Sequence, residues 1–400
     1  MVSRQLAAAA LLILLLAEEE ESEEDEEPRK RRLWSQEWLL ERDAAPQDST
    51  LREMGISSTR DFRSCLRMPE DAFRHLLSLV TPYIQKRDTC MRRAITVEQR
   101  LVATLRYLAT GQALQDLKFT TRISPQALGI IIPETCAAII DCLREEYMKF
   151  PITAADWMAV AQDFEDSLDF PNCGGAIGGR HIRIATASDS QNYKGFSSIA
   201  LMAIVNAQKE FLMVDIGKKG CMSDGEMIEQ VMFYQKLVKK ELALPATYQT
   251  KLRMNFVFVA DEAFALSEHI LKPYPQESAD FPRKIFNCRL SHARSVFNDA
   301  FELLANRFRV LQTSIKLRVD KVDQVVLACC MLHNYLRRRY GDVEEFAAAP
   351  GGVRAQPGTQ TSLQACVPQN ETWSAINNRD QYQEYFNEAG AVDWQYNMDL

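Results

Sequence analysis

The sequence predicts an α/β fold, in which a strand-rich domain over residues 171–340 follows a compact helical bundle of helix-turn-helix type over 51–150. Three observations predict it. Apolar residues recur at helical spacing from Leu51 to Phe150, short β-branched runs begin after Pro171, and Asn255–Phe264, "NFVFVADEAF", is nearly all apolar before its acidic pair. A run of that kind is expected of a central strand buried on both faces. With 400 residues, 46% apolar and 9% aromatic, the chain has ample material for a core.

The first 50 residues divide into three parts. Arg4 precedes "LAAAALLILLLA" (Leu6–Ala17), which has the look of a signal-peptide core. The run is too short to cross a bilayer, has no small residue two positions before Ala17, and leads into the acidic "EEEESEEDEE" (Glu18–Glu27). A short apolar helix docking on the fold is the preferred reading, with the secretory pathway as the alternative and no membrane partner expected. The acidic run is expected to be solvated. "PRKRRLW" (Pro28–Trp34) then reads as a nuclear-import signal, which places the protein in the nucleus, with cytoplasm.

In the bundle, "MPEDAFRHLLSLVTPYI" spaces Phe73, Leu76, Leu77 and Val80 along one face. "TVEQRLVATLRYLATG" opens with Thr96 and Gln99 as a capping box and stops on Gly111. After a short helix, Ser124-Pro125 starts another, whose Ile130, Ile131, Ile132, Ala137 and Ile139 read as core. Such a helix is a poor reader of bases, so direct readout by the bundle is not expected.

The strand-rich part opens with "GGAIGGRHIRI" (174–184), followed by "FSSIALMAIVNA" (196–207) and "FLMVDIG" (211–217), the last two joined by a tight turn at Gln208 and Lys209. A helix capped by Ser223 or Asp224 follows, with Met227, Val231, Leu237 and Leu242 among its apolar positions. The central strand, a Pro-rich connection (Leu271–Phe281), and helices over Ser291–Leu311 and Val322–Tyr340 complete it. Three hairpin-like strands, a helix, a central strand and more helices give the order of a ribonuclease H-like fold. Residues 341–370, rich in Gly, Pro, Ala and Gln, read as a flexible linker. Residues 371–400 read as a docking segment with a short helix bearing Tyr382 and Tyr385, then Trp394.

Charge and cysteine usage narrow the function classes. A net charge of −7 argues against a uniformly cationic nucleic-acid coat, although it averages acidic and basic segments. Ten cysteines, none in a CxxC pair and most inside apolar runs, point to buried thiols in a reducing compartment and away from a zinc site or disulfide frame.

Cleavage of a phosphodiester by two metal ions needs carboxylates converging from separate strands and a helix. Asp261 fills the central-strand position. The blocks "GAIGGRHI", "YKGFSSIALMAIVNAQKEFLMVDIGKKGCMSDG", "VADEAFALSEHILKPYP", "LSHARSVFNDAFELLANRFRVLQ" and "VLACCMLHNYL" resemble, in order and spacing, those of the PIF/Harbinger transposase family and its domesticated nuclease-like relatives. The resemblance covers most of the chain. It implies a DDE nuclease on a ribonuclease H-like fold, a divalent cofactor (Mg or Mn), DNA as partner and a separate Myb/SANT-like protein that supplies sequence recognition.

The resemblance also shows what is missing. The family's first block resembles "GAIDGTHI", which sets its first Asp at Gly178. Its central block resembles "GDEAF", which keeps Asp261 and has Gly at Ala260. Its helix block resembles "SRARRVVENAFG", which sets the Glu at Asn298 and an Arg at His292. Gly offers no ligand and Asn only a neutral oxygen, so Asp261 alone is left to hold metal. Asp299 lies about 100° around the helix from 298, and Glu262 points to the opposite strand face from Asp261, so neither replaces a lost ligand. His181 and His292 read as structural histidines.

A DNA-backbone surface is expected from Lys194, Arg289, Arg294, Arg307 and Arg309, with Lys316 and Arg318 beyond. The favoured function is a domesticated, catalytically degenerate nuclease-like protein acting in the nucleus through DNA or chromatin-protein binding. The alternative is an active metal-dependent DNA endonuclease in which Asp215, Asp224 or Glu262 has taken over.

Overall fold

The computed structural model describes residues 62–396 apart from 91–92, 186–197, 217–227, 229–230, 251, 277–278 and 342–371. The N-terminal apolar, acidic and basic segments, Lys194, Ser223, Asp224 and the linker beyond Gly341 lie outside the described residues.

Four helices come first: α1 (Glu70–Ile84), α2 (Val97–Thr110), α3 (Leu114–Thr121) and α4 (Pro125–Tyr147). Thr96 and Gln99 cap α2 reciprocally, each backbone N–H donating to the other's side chain, and Gly111 ends it in the left-handed region at φ 66°. Ser124 Oγ caps α4 by accepting from Ala127 N at 3.2 Å. In α4, Ile131, Ile132 and Ile139 are buried, whereas Ile130, expected in the core, is 61% exposed. The helix has the length and hydropathy of a membrane span, yet most of its apolar residues are buried, and it packs against α1, α2 and a later helix. The buried residues of α1–α4 and of one face of the sheet form one continuous cluster.

Helix α5 (Ala154–Leu168) precedes the strands and was not anticipated. Its start is written in "TAAD": Thr153 Oγ1 accepts from Asp156 N at 3.2 Å while Asp156 Oδ2 accepts from Thr153 N at 3.0 Å. Strands β1 (Cys173–Arg183), β2 (Ser198–Val205) and β3 (Phe211–Ile216) form an antiparallel meander. Helix α6 (Met232–Val238), β4 (Val257–Val259), β5 (Ile270–Leu271), α7 (Phe281–Arg307), α8 (Val319–Tyr340) and α9 (Trp373–Asn387) follow.

The sheet is mixed, in the order β3-β2-β1-β4-β5, with β4 parallel to β1 and β5 parallel to β4. Side chains alternate between its faces. Ala176, Ile182, Leu201, Ala203, Val257 and Val259 join the main core, on the side of α7. Ile177, Met202, Ile204, Phe256 and Phe258 enter a second cluster with Trp157 of α5 and Phe233 of α6.

The central strand and α7 differ in their bounds from expectation for local reasons. The central strand is only three residues long, because beyond Ala260 the chain turns, with Ala263 N donating to Asp261 Oδ1 at 3.1 Å. Helix α7 starts at Phe281 and ends at Arg307, not at Ser291 and Leu311; Asp280 Oδ1 accepts from Arg283 N at 3.2 Å, and Pro282 suits the first turn.

The C-terminal segment docks firmly. Tyr382 and Phe386 of α9 are fully buried against Phe170, and the Tyr382 hydroxyl donates to Asn255 O at 2.7 Å. Trp394 Nε1 donates to Asp169 Oδ2 at 2.9 Å.

Candidate carboxylate site

The face of β1 turned toward α7 carries the even-numbered residues, so Gly178 and Arg180 point the same way. Val257 and Val259 face that side too, which puts Asp261, just past the end of β4, on it. On α7, Arg294 and Asn298 are one turn apart and share a helix face.

At Gly178 there is no room for a side chain. A Cβ placed there would lie 2.5–2.8 Å from three ring carbons of Phe297, far inside van der Waals contact. Phe297 is 1% exposed and packs on Phe301 with ring centroids 4.8 Å apart, so the ring cannot easily swing aside. The guanidinium of Arg180 lies 5.9 Å from the same ring centroid and donates from Nη2 to Asn298 Oδ1 at 2.6 Å. Arg294 Nη1 lies 3.6 Å from Asp261 Oδ2, and the other Asp261 oxygen is held by Ala263 N. All four polar side chains here are thus tied in two pairs, Arg180 with Asn298 and Arg294 with Asp261.

The electrostatics follow from this crowding. Burial raises the Asp261 carboxyl above its usual pKa, and Arg294, the Ala263 N–H and Arg180 pull it back only in part. Burial is likewise the largest influence on Arg180 and lowers its pKa; Asp261 opposes that shift and Arg294 adds to it.

A divalent pair does not fit these residues. Phe297 occupies the space that a side chain at Gly178 would need, Arg180 engages the Asn298 amide, and Arg294 engages the Asp261 carboxylate. Among the described residues no group of three His, Cys, Asp or Glu side chains is placed to hold a metal ion. In the blocks that the chain resembles, positions 178, 180, 297 and 298 carry Asp, Thr, Val and Glu. Here they are Gly, Arg, Phe and Asn: the Phe297 ring fills the space beside Gly178, and Arg180 pairs with Asn298.

The other expected site residues are distributed widely. Asp299 pairs with Lys209 Nζ at 2.9 Å, Glu262 is exposed, and Asp215 Oδ2 accepts from Met232 N at 3.2 Å. His181 Nδ1 contacts Ser198 Oγ at 3.2 Å and the His292 ring lies 4.8 Å from that of Trp394. Arg289, expected on a DNA surface, is 2% exposed: it donates to Gly390 O at 3.1 Å, Gln395 Oε1 at 3.0 Å and Asp169 O, and lies over the Phe386 ring. It anchors the C-terminal segment and cannot reach a ligand. Arg294 turns inward to Asp261, and burial pushes the Arg307 guanidinium down to about 10. Arg309 is half-buried, close enough to Arg67 to lower that residue's pKa. Lys316 and Arg318 are exposed and, with Lys321, line an open cavity of about 680 Å³ beside Gln126 and Ile130 of α4.

Arg180 and Phe297 were not singled out from the sequence. Their signals were present: a cation two residues after Gly178 on one strand face, and a bulky ring immediately before Asn298.

The family model for DDE superfamily endonucleases matches residues 177–334, which enclose Gly178, Asp261 and Asn298. The chain is similar to an ALP1-like protein of Arabidopsis thaliana, 24% identical over 298 residues, or 70% of this chain and 72% of the relative. It is similar to the nuclease-like protein HARBI1 of Xenopus laevis, 23% identical over 62% of this chain and 70% of the relative. It is also similar to the Arabidopsis antagonist of LIKE HETEROCHROMATIN PROTEIN 1, 23% identical over 76% of this chain and 77% of the relative. No solved structure matches it. Residues 177–334 therefore match the DDE superfamily endonuclease family, and the chain is similar over most of its length to Harbinger-derived, nuclease-like proteins.

Proposed function

We propose that this chain is a domesticated transposase-derived protein that keeps a ribonuclease H-like scaffold, has lost metal-dependent strand cleavage, and acts in the nucleus by binding DNA or chromatin proteins. One observation carries the reading: the Phe297 ring fills the space that a carboxylate at Gly178 would need. A single loss of a ligand could be repaired by a neighbour, but a filled site with paired arginines has no place for two adjacent dications.

DNA contact survives such a loss, because backbone binding needs only positive charge on an accessible face. The exposed Lys316 and Arg318, with Lys321 beside α4, supply such a face. The similarity to the Arabidopsis antagonist of LIKE HETEROCHROMATIN PROTEIN 1 supports a chromatin-protein partner as the second half of the reading. A Myb/SANT-like partner for sequence recognition belongs to the same proposal.

The test is a plasmid-nicking assay with purified full-length chain in Mg²⁺ and in Mn²⁺, beside duplex binding measured in EDTA. The reading expects binding without nicking. Nicking that Asp261→Ala abolishes would instead establish an active endonuclease with relocated carboxylates.

A further inference from the structure

We propose that the trough between α4 and the segment leading into α8 is a docking site for an acidic, amphipathic segment of a protein partner. The inference rests on the chromatin-protein half of the proposed function, and it names the surface and the chemistry of that partner.

Helix α4 is apolar on more of its surface than its packing uses. Leu128, Ile131, Ile132 and Ile139 are buried, but Ile130 is 61% exposed and, with Gly129, Pro133 and Ala137, lines the open cavity of about 680 Å³. Ile130, Pro133 and Ala137 recur at three and four residues and so form one stripe, which Leu317 completes from across the cavity. Two features of the stripe suit a chain lying close along it. Gly129 presents no side chain, and the fold does not demand glycine there: its φ is not positive, and a Cβ would meet only Leu114 Cδ1 at 3.8 Å. Pro133 has no N–H to give the Gly129 carbonyl one turn earlier, so that oxygen lacks its helical donor. Across the cavity, Gln324 Oε1 is buried without a hydrogen-bond partner. Both oxygens are acceptors, and the backbone N–H groups of a docked segment can supply the donors.

The rim decides the sign of the partner. Lys316, Arg318 and Lys321 line the cavity, and Glu134, the one carboxylate among the described residues that line it, is already held by Arg100 and by Lys86 at 3.5 Å. Arg318 pairs with Asp320 at 3.1 Å, but both are exposed, which makes that pair weak; Asp141 and Asp323 on the flanking helices lie outside the lining. A segment that sets carboxylates beside apolar side chains answers both the cationic rim and the apolar stripe. A duplex does not: rigid and far wider than the cavity, it meets the cations alone and leaves Ile130 in water. The same cations cannot serve a duplex while the segment is seated.

The experiment uses the full-length chain and a fluorescein-labelled helical peptide of about 15 residues, with Leu on one face and Glu on the other, beside the same peptide with Lys for Glu and a DNA duplex. The wild type is expected to bind the Glu peptide and not the Lys peptide. Ile130→Ser and Gly129→Gln should each weaken that binding about five- to tenfold. Gly129→Gln should do so while Tm holds or rises, because Gln suits a helix better than Gly, and loss of fold cannot mimic that result. Lys316→Glu should weaken the Glu peptide and admit the Lys peptide, and Ile130→Ser should leave duplex affinity unchanged. Glu-peptide binding that Ile130→Ser and Gly129→Gln leave at the wild-type level, or no peptide binding at all, would overturn the site. Duplex binding weakened by Lys316→Glu in a chain that binds no peptide would give the rim to DNA, and a dimer in sedimentation that Ile130→Ser dissociates would give the face to a second copy. Either result overturns the proposal and leaves the non-cleaving reading intact, whereas nicking that Asp261→Ala abolishes would sink that reading and leave the peptide result standing.

Discussion

Substituting Gly178 by Ala tests the packing of the site. The residue sits in a regular part of β1 opposite Ala203, and its φ is not in the positive region, so the backbone accepts a Cβ. The cost is steric: the new methyl would lie 2.5 Å from a ring carbon of the buried Phe297. Overpacking of this kind costs about 1–3 kcal/mol, and the Gly→Ala gain through the unfolded chain returns about 0.4–1 kcal/mol. Gly178→Ala should therefore lose about 1–2 kcal/mol net. Phe297→Val alone should lose about 2–3 kcal/mol by leaving a void. The double variant should be no less stable than Phe297→Val, because the methyl enters the vacated space, giving a coupling of about 2 kcal/mol. Urea unfolding of the four proteins, compared at constant m-value, reads this directly. An additive cycle, or a Gly178→Ala protein as stable as the wild type, would refute the claim that the ring occupies the carboxylate's space.

Three other outcomes follow from the same structure. Arg289→Met should release residues 388–396, since it orphans the Gly390 and Asp169 carbonyls and the Gln395 amide; the loss is about 2–3 kcal/mol, with Trp394 emission shifted to the red and faster proteolysis at the C-terminus. Asn334→Ala should expose the Phe211 amide to faster hydrogen exchange, because Asn334 Oδ1 accepts from Phe211 N at 2.9 Å while its Nδ2 donates to Tyr147 O and Phe211 O. The Asp261 carboxyl, with its pKa raised by burial, favours folding below its unfolded pKa of about 3.9 and loses that contribution as pH rises through the folded value. Asp261→Asn should accordingly stabilise the protein at neutral pH, and the advantage over wild type should shrink as pH falls toward about 4 in paired melting curves.

The parts of the fold that were legible in the sequence are those written in local chemistry. The Thr96–Gln99 box, Gly111 and Ser124-Pro125 are cap signals, and the structure uses each as one. Helix α5 carries the same signal in Thr153 and Asp156 but lies in a short stretch between the helical and strand-rich textures, which masks it. The central strand was overextended because a buried turn is as apolar as a strand: Ala260, Ala263 and Phe264 are buried for reasons of packing, not pairing. Ile130 shows the converse, an apolar residue on a helix surface that periodicity assigns to the core.

At the site, the absence of two carboxylates was legible, because it concerns single residues at known places in a motif. Their replacement was not. That Phe297 fills the Gly178 space and Arg180 engages Asn298 depends on a strand and a helix more than a hundred residues apart, and no local pattern carries that pairing. Arg289 was misread for a related reason: a cation on a helix is surface by default, and only the docked C-terminal segment makes it core.

The central claim is that the DDE site of this chain no longer binds divalent metal. Calorimetric titration of Mn²⁺ into metal-stripped wild type and Asp261→Ala tests it most directly. The account predicts superimposable isotherms for the two proteins; stoichiometric binding in the wild type that disappears in Asp261→Ala would contradict it.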